Sequence, residues 1–449
     1  MTHQHHFPQR SRRRFLLEAS ALLGAAGFGS TAQAQSTGYK ALVCVFMAGG
    51  NDGHNMVVPQ STAAFNAYRT IRGGLALPNG DATLTTVTTA GGVPYGLNSG
   101  LNAIAPLWAQ GKLAVVANVG MLARPTTRAQ YLAGSVPLPS NLFSHSDQIQ
   151  QMQTGITTGG GTGWAGRSAD AMNGLNGTSR FPASISMNGT ALFCAGNVVQ
   201  SASLIPDFDL GADGMSAWPD SAAAAKRNAL NQILQMDSGM ALVQSANKVR
   251  QDAIELNKLL AGTSGGAAFA TPFPGTPLGR QLQHVAKIIR LRATTGISRQ
   301  VFFCSLGGFD THSAQSWTHW DLLRNVGDAM AAFYAATVEM GVAGGVTTFT
   351  ESDFGRTLQP SGSGTDHGWG NHLLVMGGSV RGGDLYGSFP TPALGGPDDA
   401  GSRGVLIPST SLDQFGATLA KWFGVGPAAM AQVFPNLGYF PNADVGFMS

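Results

Sequence analysis

Five short, continuous apolar runs, each leading into polar turns or helix-period stretches, constrain the fold of this chain more than any other feature. They occupy residues 41–47, 113–119, 301–306, 346–350 and 373–376. Apolar side chains at successive positions, without polar alternation, belong to strands covered on both faces, as in a parallel sheet. Between the runs, residues 102–110, 221–260, 278–291, 317–340 and 412–423 carry apolar residues at helical spacing. Alternating strands and helices imply an α/β fold, with a mostly parallel central sheet and helices on both faces. Gly-rich segments at 159–163 and 262–275 bracket a stretch of short β-like pieces and a long helix, and no internal repeat is visible. That stretch, about 156–276, reads as a loop-rich insertion in a single domain spanning 35–449.

The first 34 residues have a different character. Ser11-Arg12-Arg13-Arg14-Phe15-Leu16-Leu17 fits a twin-arginine export pattern, a weakly apolar stretch runs to Phe28, and Ala32-Gln33-Ala34 offers a small-x-small cleavage site. The apolar stretch falls short of the ~20 residues that a bilayer span needs. Residues 1–34 are therefore expected to be a signal peptide recognised by the twin-arginine translocase, and the protein to be periplasmic or secreted. Of 27 basic and 24 acidic side chains, the segment holds four arginines and Glu18, which leaves 23 of each. With no basic run and no long apolar segment remaining, neither a nucleic-acid surface nor a membrane span is expected after cleavage. Glycine, at 61 of 449 residues, is about twice its usual share and implies many tight turns and ordered loops. Cys44 and Cys304 lie inside apolar runs, as buried strand thiols would, rather than as a disulfide pair.

Dense polar motifs follow the apolar runs. In open α/β sheets, ligands bind beyond the carboxyl ends of the strands, so these motifs carry the functional argument. The first run leads to Gly49-Gly50-Asn51-Asp52-Gly53-His54-Asn55, where Asp52 projects into a strand-end crevice or simply closes a turn. The run at 301–306 leads to Phe309-Asp310-Thr311-His312, a carboxylate and an imidazole spaced to bind one metal or to pair with each other. The run at 346–350 leads to Asp353-Phe354-Gly355-Arg356, which could hold an anionic oxygen between metal and guanidinium, or form an ion pair that fixes the turn. Asp366-His367 precedes the last run, with His367 as a candidate ligand and Asp366 as ligand or orienting partner. Ser144, in Ser144-His145-Ser146-Asp147, is either a helix N-cap or a nucleophile placed at the positive end of a helix. Of the seven histidines after residue 34, only His284 lies away from these motifs. This concentration of Asp and His favours a metal site.

Taken together, the motifs are recognisable. Gly49-Gly50-Asn51-Asp52-Gly53, Ser144-His145 with the helix to Gly155, Gly163-Trp164-Ala165-Gly166-Arg167, Phe309 to His312, Ser352 to Thr357 and Gly364 to Gly368 resemble the domain-of-unknown-function 1501 family. The closing segment with Val433-Phe434-Pro435-Asn436 fits as well, so the resemblance covers nearly the whole chain after residue 34. It implies an exported protein with an alkaline phosphatase/sulfatase-like fold. On that plan Asp52, Asp310, His312, Asp353 and His367 are metal ligands, Ser144 the nucleophile, and Arg356 the holder of the non-transferring oxygens. The close spacing of Asp310 and His312, and Phe354 in place of a histidine after Asp353, point to one metal or none rather than a full pair.

The expected function is that of an exported, divalent-metal-dependent hydrolase (Zn, Ca, Mg or Mn) acting on phosphate or sulfate esters of a small molecule or polymer. The alternative is a non-catalytic binding or envelope-assembly protein that retains the fold. A third reading is carbohydrate or polymer binding through the Gly-rich loops and Trp164, Trp317 and Trp369, residues that more often serve packing.

Overall fold

The computed structural model of the protein describes residues 38–179, 181–206, 219–236 and 268–449, with residues 239, 240, 243, 244, 246, 247, 250, 251 and 254 between the last two stretches. The expected signal peptide lies outside the described residues, as does much of the helix expected over 221–260, of which Asp220–Gln235 is described.

The strands, in chain order, are β1 (Lys40–Ala48), β2 (Val57–Pro59), β3 (Leu84–Thr88), β4 (Pro94–Asn98), β5 (Leu113–Gly120) and β6 (Ser184–Ser186). There follow β7 (Ser201–Ser203), β8 (Arg299–Gly307), β9 (Val346–Ser352), β10 (Asn371–Gly377), β11 (Leu385–Tyr386) and β12 (Thr410–Ser411). All five apolar runs became strands of one nine-stranded sheet, ordered β11-β5-β10-β9-β1-β8-β6-β7, with β12 also pairing to β5. β2, β4 and β3 form a separate antiparallel sheet. Every residue of β9 and β10 is buried, and so is every interior residue of β1, so both faces of the main sheet are covered. The fold is α/β with a mostly parallel sheet.

The covering helices follow the sequence pattern closely. Pro277–Arg290, Gln315–Glu339 and Leu412–Phe423 stand where helical spacing placed them. On one face the parallel register aligns Cys44 with Phe303 and with Phe349. Phe349 there meets Trp164 at 5.7 Å, Phe415 at 5.8 Å and Phe193 at 6.3 Å. Truncating a fully buried ring of this kind to alanine costs about 3–5 kcal/mol. Cys44, Cys194 and Cys304 are buried free thiols.

Two expectations are corrected. The helix expected over 102–110 is a 3-10 turn (Ser99–Leu101) and a four-residue helix (Pro106–Ala109). Pro106 has no amide hydrogen to continue a helix entering from upstream, so the helix starts afresh at the proline. The run at 373–376, expected to be parallel like the others, lies in β10, which is antiparallel to both β5 and β9. This reversal matters for the site. The carboxyl ends of the adjacent parallel strands β9, β1 and β8 open at one sheet edge, and the amino end of β10 begins at that same edge.

Candidate metal centre

The loops at this edge pack so closely that glycine is required. Gly49, just after β1, has φ +118°, and a Cβ there would strike the backbone nitrogen of Asp310. A Cβ at Gly364 would likewise strike the backbone of His312. Three loops are thus drawn together, and Arg356 ties them. Its side chain is fully buried, and its guanidinium donates to the Gly49 carbonyl at 2.9 Å, to Asp310 Oδ1 at 3.1 Å, and to the hydroxyl and carbonyl of Thr365. An isolated pairing between Arg356 and His367 sets the start of the segment leading into β10.

A fourth segment completes the site. His145 is the first residue of the His145–Thr154 helix, and Asn141 and Phe143 just before it take positive φ values of 48° and 72°. Asparagine takes that conformation readily, whereas a bulky phenylalanine does so only when its surroundings enforce it, and such strain gathers at functional sites. Here the strained turn aims the Phe143 carbonyl at His367 Nδ1, 2.8 Å away.

Four side chains converge. His145 Nε2 and His367 Nε2 are 3.1 Å apart, and His312 Nε2 is 3.0 Å from His367 Nε2. Asp310 sits among them, with oxygens 3.5 Å from His145 Nε2, 3.4 Å from His367 Nε2 and 2.9 Å from His312 Nε2. The outer nitrogens are already engaged: His145 Nδ1 lies 2.7 Å from Asp353 Oδ2, and His367 Nδ1 faces the Phe143 carbonyl. An imidazole facing an oxygen through Nδ1 carries its proton there, so the inner Nε2 atoms present lone pairs. Lone pairs and a carboxylate facing one another repel unless a cation or a shared proton lies between them. Four-coordinate ligands with bonds of 2.0–2.1 Å stand about 3.3 Å apart, close to the separations here, so the residues present fit a metal ion.

The electrostatics are consistent with that fit. Burial raises the Asp310 carboxyl, but the Arg356 guanidinium, with His312 and His145 nearby, holds it below its ordinary value. Burial is the main cause lowering His367, and neighbouring His145 and Arg356 add to it, which keeps the imidazole neutral as a ligand must be. Asp310 and His312 are each 46% exposed, so one side of the cluster opens to solvent.

Residues 39–400 match the family described as Protein of unknown function (DUF1501). The chain belongs to that family. No curated protein sequence matches this DUF1501 protein. Among solved structures it is similar to the PsFucS1 sulfatase from Pseudoalteromonas sp., at 11% identity and a TM-score of 0.34, over 93% of this chain and 72% of that one. It is also similar to Ps i-CgsB in complex with k-i-k-neocarrahexaose, at 9% identity and a TM-score of 0.32, over 90% and 77% of the two chains.

Of the residues singled out in the sequence of this DUF1501 protein, Asp310, His312, His367, Asp353 and Arg356 are brought together. Asp353 takes the supporting position, with one oxygen on His145 Nδ1 and the other accepting the Gly49 amide at 3.0 Å. Asp366 lies behind His312, 3.5 Å from its Nδ1, and pairs with Arg403 at 2.5 Å. Asp52 is not part of the cluster. It is fully buried in an ion pair with Arg72, accepts a hydrogen bond from the Gln315 side chain, and caps the Gly53–Met56 turn. Burial raises the Asp52 carboxyl, yet Arg72, His319 and His54 together hold it below its ordinary value. Ser144 is the N-cap residue of the His145 helix, and its hydroxyl donates to Asp147 Oδ2 at 2.6 Å.

His145 was not among the expected ligands, although Ser144-His145 at a helix start was noticed. Nothing local in the sequence shows that this imidazole meets residues 165 and more positions later. The histidine count also overstated the cluster. His54, His319 and His372 lie buried elsewhere, where burial pushes them down to about 4, about 4 and about 3.

Proposed function

We propose that this DUF1501 protein is an exported, metal-dependent hydrolase of phosphate or sulfate esters on an alkaline phosphatase-like α/β core. The observation that carries the reading is the all-acceptor cluster of His145 Nε2, His367 Nε2 and an Asp310 oxygen, whose ligand atoms lie within 4.8 Å of one another. His312 stands beside it as a fourth donor. Imidazole-rich sets with one carboxylate suit zinc better than calcium or magnesium, which favour oxygen ligands. A divalent cation held there supplies positive charge to polarise a phosphoryl or sulfuryl oxygen.

The protein's own groups have distinct tasks. Asp353 and the Phe143 carbonyl orient the two imidazoles from behind, and Arg356 keeps Asp310 anionic and in place. Ser144, next to His145, is the nucleophile of this reading. As its oxygen bonds to phosphorus or sulfur, its proton passes to Asp147, and the ester oxygen leaves carrying a proton from solvent. Water then releases phosphate or sulfate from Ser144, restoring the hydroxyl.

The test is direct. The purified protein, loaded with zinc or manganese, is assayed on aryl phosphate, bis-aryl phosphodiester and aryl sulfate. Turnover that disappears in Asp310→Ala and Ser144→Ala supports the reading. Absence of turnover on all three esters, with metal bound, rejects it.

One observation favours the second reading, a non-catalytic binding or envelope-assembly protein. Asp52, the first-strand ligand that the family resemblance implies, is neutralised by Arg72 and accepts a hydrogen bond from Gln315. A protein isolated without metal, and unchanged by substitutions in the cluster, would belong to that class. Export by the twin-arginine translocase to the periplasm or beyond is part of the proposal and rests on residues 10–17 and 32–34. Among the described residues, no helix is long and apolar enough to cross a membrane.

A further inference from the structure

The three tryptophans grouped in the sequence have separate fates. Trp164 and Trp369 are core residues, 0% and 1% exposed, whereas Trp317 is 71% exposed. Trp317 lies near the start of the Gln315–Glu339 helix and stacks on Trp320 one turn later, with ring centroids 4.8 Å apart and planes 29° apart. Trp320 is itself fixed, donating its indole N–H to Ser99 Oγ at 3.0 Å. One face of Trp317 is thereby braced, and the rest of the indole borders a pocket of about 510 Å³.

Two walls of this pocket are continuations of the metal-centre segments, and Gly74 and Leu75 form the third. Ala314 to Trp317 begin two residues after His312, and Pro360 to Ser363 end three residues before Asp366. These two walls are locked together. Ala314 holds a left-handed conformation (φ 49°), with its amide on Ser363 Oγ at 3.1 Å and the Gln315 amide on the Ser363 carbonyl at 3.0 Å. Gln315 then reaches back to Asp52 and accepts from Thr365 at 2.6 Å. None of the nine lining residues is charged.

We propose that this pocket is a carbohydrate subsite, in which a hexopyranose ring stacks on Trp317 while its hydroxyls meet Ser316, Ser363 and the surrounding backbone. A braced, exposed indole offers a flat apolar face at little entropic cost, and sugar rings present patches of C–H to such faces. A largely apolar lining of Trp317, Leu75 and Pro360, with the small polar groups of Ser316 and Ser363 and no charge, suits a neutral ring that presents both C–H and O–H groups and gives no hold on an ion. A large aromatic left exposed beside a pocket marks a recognition surface. The subsite deepens the ester-hydrolase reading and rests on it: the ester presented to the metal is then carried on an oligosaccharide, with a neighbouring ring held at Trp317.

The experiment reads binding without turnover. Agarohexaose, cellohexaose, mannohexaose and maltohexaose are titrated into the full-length protein by calorimetry and tryptophan fluorescence. At least one is expected to saturate, with Trp317→Ala weakening it about tenfold or more and Trp317→Phe about threefold or less. Lys421→Ala, on the helix Leu412–Phe423 and outside both the pocket and the metal centre, should bind as the wild type does. Saturation by none of the four, uptake of proline-rich peptides instead, or binding indifferent to Trp317→Ala overturns the subsite. Metal content and aryl-ester turnover are measured separately, so a failure of the hydrolase reading is seen apart from a failure of the subsite.

Discussion

His145 and His367 meet through their Nε2 atoms, 3.1 Å apart, while the Nδ1 of each is engaged by an oxygen behind it. Neither ring can turn its proton inward without abandoning that oxygen. The pair is therefore set to accept, and its natural guest is a cation. We expect divalent metal to bind with a stoichiometry near one, and His145→Ala, His367→Ala and Asp310→Ala to abolish binding at micromolar metal. Elemental analysis and calorimetry check this. Unchanged metal content in all three variants would remove the centre.

Asp353 holds His145 Nδ1 from behind, and through that imidazole it would act on the proposed metal. Supporting carboxylates of this kind are worth about 10–100-fold in metal affinity. Asp353→Asn keeps the shape but weakens the hold on His145 Nδ1, so the same loss is expected, with thermal stability of the metal-free protein little altered. A variant that lost stability and kept its metal affinity would show that Asp353 serves only the Gly49 turn.

The Arg72–Asp52 pair is fully buried. Removing one partner of such a pair strands the other charge and costs about 3–5 kcal/mol. Arg72→Met should destabilise by that order in urea unfolding, and the double variant Arg72→Met/Asp52→Asn should recover part of it. An equal loss in both would mean that Arg72 works through its hydrogen bonds to Asn55 Oδ1 and to the Thr357 and Leu358 carbonyls rather than through the ion pair.

Asp413, on the helix Leu412–Phe423, lies away from the centre. Burial raises its carboxyl to about 7, against the Asn436 amide and Arg167, which lower it. Its Oδ2 has no hydrogen-bond partner among the described residues, as suits a protonated acid. The folded state therefore binds a proton that the unfolded chain releases above its ordinary value near 4. Asp413 contributes most to stability at acid pH, and that contribution fades as pH rises toward 7 and is gone above it. Asp413→Asn should stabilise the protein at pH 8 relative to wild type and change little at pH 4. Denaturant melts across this range decide the point, and a pH-independent difference would refute it.

The export reading predicts that replacing Arg12 and Arg13 with lysine leaves the precursor in the cytoplasm, and that the exported form begins at Gln35. Fractionation and intact mass measure both. An exported double variant would exclude the twin-arginine route.

The sheet was legible because burial on both faces writes itself into consecutive apolar residues, as in residues 41–47 and 346–350. The direction of β10 was not, since a buried strand reads the same either way and only the connection before it decides. Asp310 and His312 could be found as a pair because two residues on an extended segment are near neighbours whatever the fold. His145 could not, because its partners belong to strands far along the chain. Asp52 reads the same as a ligand or as half of an ion pair, and only the approach of the Thr62–Arg72 helix, which ends in Arg72, shows which partner it has here.

The reversed strand β10 also sets an order of events. His145, Asp310 and Asp353 can all have left the ribosome while the position of His367 is still undefined, because the segment carrying it is anchored only when β10 slots between β5 and β9. A nascent chain that ends before residue 371 lacks that anchor. The full constellation of His145, Asp310, His312 and His367 therefore exists only once the sheet has closed, and a ligand that needs all four, as the proposed metal would, selects the folded chain over any unfinished one.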